Sequence, residues 1–98
     1  MKPEVFFRRI ARREFEESIQ WYDRQEPGLG HRFRLEVQSY LDRIAASPER
    51  FPKVRDEVRR AVLRVFPFKI HYIIEEDSIV VLAVFHGSRN PDALRRRR

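Results

Sequence analysis

The sequence contains no cysteine, only three glycines and a single tryptophan among its 98 residues. Without cysteine, the chain can form neither disulfide bonds nor thiolate metal sites. It has no apolar run close to the roughly 18–20 residues that a transmembrane helix requires. A secretory signal peptide is not expected, because its apolar segment would be interrupted by Arg8, Arg9, Arg12 and Arg13. These absences predict a cytoplasmic protein that does not contact membranes.

The composition predicts one folded domain that spans residues 1–98. Hydrophobic residues make up 42% of the chain, enough for a core that buries roughly 60–65% of the surface of the unfolded chain. The net charge is +6 and the isoelectric point is near 10.5, so a polyanionic partner is expected, either nucleic acid or an acidic protein. Arginine greatly outnumbers lysine, which favours bidentate binding of phosphate or carboxylate over a purely solubilising role.

Two helices joined by a tight turn are predicted in the N-terminal half. The first covers residues 11–25, where apolar side chains recur at three- and four-residue spacing. Pro27, Gly28 and Gly30 then permit a sharp reversal. The second helix has one apolar stripe and stops before Pro48. Trp21 lies off the first stripe, where it either covers the edge of the hairpin or faces a partner, and Leu35 lies opposite the second stripe.

The C-terminal half predicts strands, because it is rich in β-branched and aromatic residues between short turns. They cover residues 59–65, 68–75 and 79–85, and residues 5–7 form a short first strand. Within the middle strand, apolar side chains alternate with more polar ones such as Lys69, so one face suits the helices and the other is available for function. The sequence therefore predicts an α+β fold, with a small antiparallel sheet packed against an N-terminal helical hairpin in the order β-α-α-β-β-β.

Several short motifs follow one another along nearly the whole chain. They are Trp21-Tyr22, residues 27–30 with Arg32-Phe33, Ser47-Pro48 with Phe51-Pro52, Val58-Arg59-Arg60, residues 66–72 and residues 84–91. In this order and spacing they resemble the RelE/ParE family of toxins from type II toxin–antitoxin systems. The resemblance implies the same α+β fold, arrest of growth by the toxin, and neutralisation by a cognate antitoxin. No cofactor is expected.

The expected antitoxin is an acidic protein that lays an amphipathic helix against the helical hairpin. Trp21 and Leu35 are the predicted antitoxin-binding residues, because both are apolar side chains outside the core stripes. Carboxylates of the antitoxin would face cations of the toxin and would steer the assembly of the complex.

The resemblance leaves two mechanisms open. RelE-like members cut messenger RNA in the ribosomal A site, whereas ParE-like members poison DNA gyrase without nuclease chemistry. For a metal-independent endoribonuclease, the resemblance implies that Lys69 and Arg89 bind phosphate. His86 would then act as acid or base, with Arg59 assisting; otherwise His86 is a strand-end histidine that is hydrogen-bonded to the backbone. RelE-like enzymes also have an aromatic residue near the C-terminus. Residues 92–95 contain none, so a ParE-like, non-nucleolytic toxin is favoured.

A third hypothesis is a non-toxic, basic module that binds nucleic acid, and it rests on charge alone. The four arginines of residues 95–98 would be a phosphate-binding arm or, as terminal charge runs usually are, a flexible and solvated tail. His31 and His71 have no metal-ligand spacing with other residues, so they are interpreted as structural or surface residues. No metal site is predicted.

Overall fold

The structure, a computed structural model, describes residues 2–89 together with Asp92, Leu94 and Arg97. Strand β1 (Glu4–Phe7) is followed by helices α1 (Arg9–Gln25) and α2 (Leu29–Ala46), and then by strands β2 (Lys53–Arg55), β3 (Val58–Val62), β4 (Phe68–Glu75) and β5 (Ser78–His86). The predicted α+β fold with its N-terminal helical hairpin is confirmed. Within the described residues, neither helix is long and apolar enough to span a membrane.

The five strands form one sheet in the order β1-β5-β4-β3-β2. The pairs from β2 to β5 are antiparallel, whereas β1 pairs with β5 in parallel. The helical hairpin is the crossover that a parallel pair requires, since such strands cannot be joined by a short turn. The sheet is therefore mixed, and it has one more strand than the sequence predicted: the short, exposed edge strand β2.

The turn between the helices depends on two glycines. Gly28 adopts φ of 90°, a left-handed conformation that residues with a Cβ rarely take. Gly30 lies against α1, and its N–H donates a 2.8 Å hydrogen bond to the Asp23 carboxylate. A Cβ at Gly30 would collide with the carbonyl oxygen of Ile19 and with the Asp23 side chain. The close approach of the two helices therefore requires glycine at this position.

The main core lies between the helices and one face of the sheet. Phe33 of α2 is fully buried at its centre, with its ring 4.8 Å from that of Phe68 and 5.2 Å from those of Tyr22 and Phe66. Tyr72 is buried on the same face of β4 and donates a 2.7 Å hydrogen bond to the carbonyl of Pro48. Burial raises the pKa of Tyr72 to about 12. The predicted apolar face of β4 is thus confirmed.

The opposite face of the sheet is less open than the sequence predicted. The β4–β5 register shifts between His71 and Tyr72, which pair with Ala83 and Val81, so Leu82 is an extra residue in β5. A second apolar cluster covers this face, and it consists of Val58, Ile73, Val80, Leu82, Ala83, Phe85 and Leu94. Leu94, which follows the last strand, is only 2% exposed. Arg60, Lys69 and His71 are polar side chains on this face.

We expect Gly30→Ala to lower the free energy of unfolding by about 3 kcal/mol, because overpacking against backbone cannot be relieved by a side-chain rotation. Chemical denaturation of the purified protein measures the change. Gly87→Ala is the matched control, since a Cβ there would meet the Pro67 carbonyl at an ordinary 3.4 Å. Equal stability of the two variants would show that the helices do not need this close approach.

Candidate functional site

An aromatic cleft opens between α1 and the end of the sheet. It has a volume of about 420 Å³ and is lined by Ser18, Trp21, Tyr22, Pro67, Phe68 and His86. Trp21 is 51% exposed and meets Tyr22 edge to face, with ring centres 5.1 Å apart. His86, which pairs with Phe68 across the two strands, stands edge-on to the Phe68 ring at 5.4 Å. Trp21, which the sequence separates from the core stripe, therefore forms one wall of a cleft.

Charged side chains surround the mouth of this cleft. The wider depression continues past Glu14, Glu17, Arg24 and Arg89. His86 Nδ1 accepts a 3.2 Å hydrogen bond from the Ser88 N–H and lies 2.8 Å from Ser88 Oγ. Because Nδ1 accepts from the backbone, the proton of the neutral ring lies on Nε2. This is the local hydrogen bonding that a structural strand-end histidine would make.

Glu14 connects three parts of the chain beside the cleft. Its carboxylate accepts hydrogen bonds at 2.8 Å from two nitrogens of Arg97, at 3.1 Å from Arg89, and at 3.2 Å from the N–H of Val84. The Glu14 side chain is only 12% exposed, so these contacts operate in a partly desolvated environment. Glu14 of α1 therefore contacts β5 through Val84, the segment just after β5 through Arg89, and the C-terminal segment through Arg97.

Arg97 is held firmly, contrary to the prediction of a solvated tail. It is 9% exposed, donates a 3.2 Å hydrogen bond to the Leu82 carbonyl, and lies with its guanidinium 4.6 Å from the centre of the Phe85 ring. The Arg89 guanidinium lies 4.7 Å from the same ring centre. For Arg97 the tail prediction is wrong, because an ion pair and a cation–π contact compensate its burial. Arg95, Arg96 and Arg98 lie outside the described residues.

The predicted catalytic residues do not converge. His86 and Arg89 line the cleft together. Lys69 points to the opposite face of the sheet, since it is adjacent to the helix-facing Phe68. Arg89 is not confined to the cleft, because its guanidinium also lies over Phe85, the cross-strand partner of Lys69. Arg59 faces the helices beside Tyr72 and donates hydrogen bonds of 3.0 and 2.7 Å to the carbonyls of Glu49 and Phe51. Arg59 therefore lies on the other face of the sheet from Lys69 and binds the loop after α2, and Arg60 is the neighbouring arginine on the face of Lys69.

Trp21 and Leu35, the predicted antitoxin-binding residues, are both exposed, Leu35 to 54%. They belong to different helices, and only Trp21 lines the aromatic cleft.

A basic group on the second sheet face was not singled out as a site by the sequence. Arg60 lies opposite His71 in the β3–β4 register, and Lys69 precedes His71 on the same face. His71 is 3% exposed, and its pKa is lowered to about 4 by burial and by the charges of Arg60, Lys69 and Arg97. The interpretation of His71 as a structural residue fits this burial, and a surface position does not. Nowhere in the described part of the chain do three or more histidines or carboxylates cluster as metal ligands would.

Comparisons with known proteins agree on one class of protein, the toxins of type II toxin–antitoxin systems. The family model described as "ParE toxin of type II toxin-antitoxin system, parDE" matches residues 5–91. "Toxin ParE2" of Mycobacterium tuberculosis, from strains CDC 1551 / Oshkosh and ATCC 25618 / H37Rv, is 29% identical over 80 residues, which cover 82% of this chain and 76% of the relative.

A solved structure titled "Chromosomal ParDE TA system from P. aeruginosa" has a chain with the same fold. The TM-score is 0.76 at 13% identity, and the match covers 87% of this chain and 96% of that one. Because the family model matches most of the sequence, the chain belongs to the ParE family of toxins.

We expect Glu14→Gln to lower the free energy of unfolding by about 3 kcal/mol, because it leaves the buried Arg97 without its counter-ion. Glu17→Gln, an exposed carboxylate three residues along the same helix, is the matched control and should change stability by less than about 0.5 kcal/mol. Urea denaturation of both variants at neutral pH makes the comparison. Similar losses in the two variants would mean that the Glu14 network contributes no stability of its own.

Proposed function

We propose that this toxin arrests growth in the cytoplasm by acting on DNA gyrase, without nuclease chemistry, and that an acidic antitoxin neutralises it. The observation that carries the proposal is the separation of the candidate catalytic groups. Cleavage of RNA by its own 2′-hydroxyl needs a base, a proton donor and phosphate-binding cations around one phosphorus atom. His86 lies on the cleft side, Lys69 lies on the other face, and Arg59 is bound to backbone carbonyls. Arg89 lines the cleft and also lies over the Phe85 ring. This arrangement supports docking to a protein better than it supports catalysis.

The local hydrogen bonding of His86 supports the same conclusion. Its Nδ1 accepts from Ser88, and Arg89, which lines the same depression, contacts Glu14 and Phe85. A guanidinium that already binds a carboxylate must give up part of that contact to bind a scissile phosphate. ParE-like toxins match these features, since they need a surface for their target and no acid–base pair.

Inducing the toxin in cells without an antitoxin tests the mechanism. We expect growth arrest with double-strand breaks that depend on gyrase, inhibition of supercoiling by purified gyrase, and intact messenger RNA ends. Codon-phased cleavage of messenger RNA that disappears in His86→Ala and Arg89→Ala would contradict the proposal and favour a ribosome-dependent endonuclease. Unimpaired growth at confirmed expression would contradict a toxin of either kind.

The helical hairpin is the proposed antitoxin surface, with Trp21 as its main anchor. Trp21 combines a half-exposed indole with an adjacent cleft of about 420 Å³, and tryptophan is the residue type most enriched among binding hot spots. Arg24 and Arg89 at the mouth of the cleft suit carboxylates of an acidic antitoxin. Leu35 of α2 would extend the contact along the outer side of the hairpin.

We expect Trp21→Ala to weaken binding of the cognate antitoxin by at least about tenfold, because a buried aromatic anchor contributes 2 kcal/mol or more. Calorimetric titration of the purified toxin with the antitoxin encoded beside it measures the loss. Val54→Ala is the matched control, since Val54 is an exposed apolar residue on β2 at the far edge of the sheet. Equal affinities of the two variants would show that the antitoxin does not bind at this cleft. They would not bear on the proposal that gyrase is the target.

A further inference from the structure

Strand β1 forms one edge of the sheet, and its outer side is unpaired. Among the residues that the structure describes, no strand lies beyond β1. The N–H of Arg8 donates to the Val81 carbonyl of β5, and backbone groups alternate in direction along a strand. The even-numbered residues of β1 therefore direct their N–H and C=O groups towards β5, whereas those of Val5 and Phe7 point away from the sheet. Free donors and acceptors at an edge can pair with a further strand.

The side chains of this edge that lie on the face away from the helices are exposed. Phe6 is 49% exposed, and a depression of about 580 Å³ lies beside it. Glu4 and Arg8 flank Phe6 two residues away on either side, and both are exposed. The contact of Arg8 with Glu75 is 3.8 Å long and open to solvent, so it contributes little and leaves the guanidinium available. The edge therefore presents a carboxylate, an aromatic ring and a guanidinium in turn.

We propose that the β1 edge pairs with the β1 edge of a second copy of this chain, so that two sheets join across a two-fold axis at Phe6. Antiparallel pairing about Phe6 places Val5 opposite Phe7 of the second copy. These are the residues whose backbone groups are free, so they can exchange reciprocal hydrogen bonds. The same register places Glu4 opposite Arg8 of the second copy, and the symmetry repeats this pair on the other side of the axis. Opposite charges directly across two strands stabilise their pairing.

The other edge of the sheet, strand β2, does not have this self-complementarity. Antiparallel pairing of two copies about Val54 would place Lys53 opposite Arg55, and like charges directly opposite each other are destabilising. Charged side chains, lysine above all, commonly protect edge strands in this way. The two charges of the β1 edge have opposite signs, so the same symmetry attracts there. A strand of an acidic protein would bring carboxylates against Glu4, which favours a second copy as the occupant.

Dimer formation at β1 leaves the aromatic cleft open. The edge strand leads into the N-terminus of α1 at Arg9, whereas Trp21 lies roughly 18 Å further along the helix. A second copy and a ligand of the cleft would therefore contact opposite ends of α1. Self-association at this edge does not depend on the antitoxin or on gyrase.

Sedimentation equilibrium of the purified full chain, at concentrations up to about 1 mM, measures self-association. We expect a reversible equilibrium between monomer and dimer. Glu4→Arg places like charges opposite each other on both sides of the axis, so it should weaken the dimer by about tenfold or more. Glu16→Arg makes the same change of charge on the exposed side of α1. It is the matched control and should weaken the dimer by less than about twofold, because solvent and salt screen distant charges.

A mixture of two variants tests the register. Arg8→Glu should weaken the dimer as Glu4→Arg does, because it also places like charges opposite each other. An equimolar mixture of the two variants should form a heterodimer, since the two substitutions together restore opposite charges at both pairs. In hydrogen exchange of the unchanged chain, the amides of Val5 and Phe7 should become protected as the concentration rises. The amide of Phe6, which faces β5, should not change.

Three results would overturn the proposal. A chain that stays monomeric up to about 1 mM does not use this edge for a second copy. If Glu4→Arg then also strengthens antitoxin binding more than Glu16→Arg does, the edge belongs to the antitoxin. A dimer that both variants weaken equally forms through another surface, and a mixture that does not associate rules out this register. Should Glu4→Arg fail to fold, Arg8→Glu carries the same comparison, with Arg13→Glu as its control.

Discussion

The open edge of β5 is the constraint on which the other contacts depend. Strand β1 pairs with β5 only as far as Val81, and β5 continues to His86 with no strand on that side among the residues that the structure describes. Unpaired backbone groups at a sheet edge are unfavourable when buried and invite pairing with other chains. Here side chains replace the missing strand: Glu14 accepts from the Val84 N–H, and Arg97 donates to the Leu82 carbonyl. An ion pair between these two residues closes the edge.

The contact of Glu14 with the β5 edge also fixes the orientation of α1 about its own axis, and therefore the position of the cleft. Glu14, Ser18 and Trp21 follow one another at i, i+4 and i+7, so they lie on one side of the helix. Because Glu14 points towards β5, Ser18 and Trp21 on the same side of α1 face the end of the sheet, where both line the cleft beside His86. The exposure of Trp21 is therefore a consequence of how α1 satisfies the β5 edge, and the stability of that edge and the shape of the cleft are coupled.

Local periodicity explains why the helices and long strands could be predicted. The core stripe of α2 and the alternation along β4 are properties of neighbouring residues, and Phe33, Phe68 and Tyr72 are buried as the patterns indicate. The surface positions of Trp21 and Leu35 follow from the same periodicity, since both fall outside the stripes.

Other features depend on contacts between distant parts of the chain. The parallel pairing of β1 with β5 requires the helical hairpin as a crossover. The extra residue Leu82 shifts which side chains of β5 face the helices, and this shift cannot be recognised in the sequence because β5 is apolar on both faces. The contact between Glu14 and Arg97 spans 83 residues. The choice between Arg59 and Arg60 turned on strand register, because adjacent residues face opposite sides and composition cannot say which side is which. Glu14, Ser18 and Trp21 could have been recognised as a second stripe on α1, which would have indicated the cleft.

The alternation of β4 gives the toxin two chemically different surfaces from one strand. Phe68 contributes to the aromatic cleft, while the next residue, Lys69, contributes to the basic face on the other side of the sheet. A partner helix that lies on the hairpin can cover the cleft, but it cannot contact Arg60 and Lys69 through the thickness of the sheet. The two surfaces can therefore be occupied independently unless a partner also wraps around a sheet edge. Arg89 and Arg97 each contact both Glu14 and the Phe85 ring, so occupation of one surface would alter the other through these two arginines.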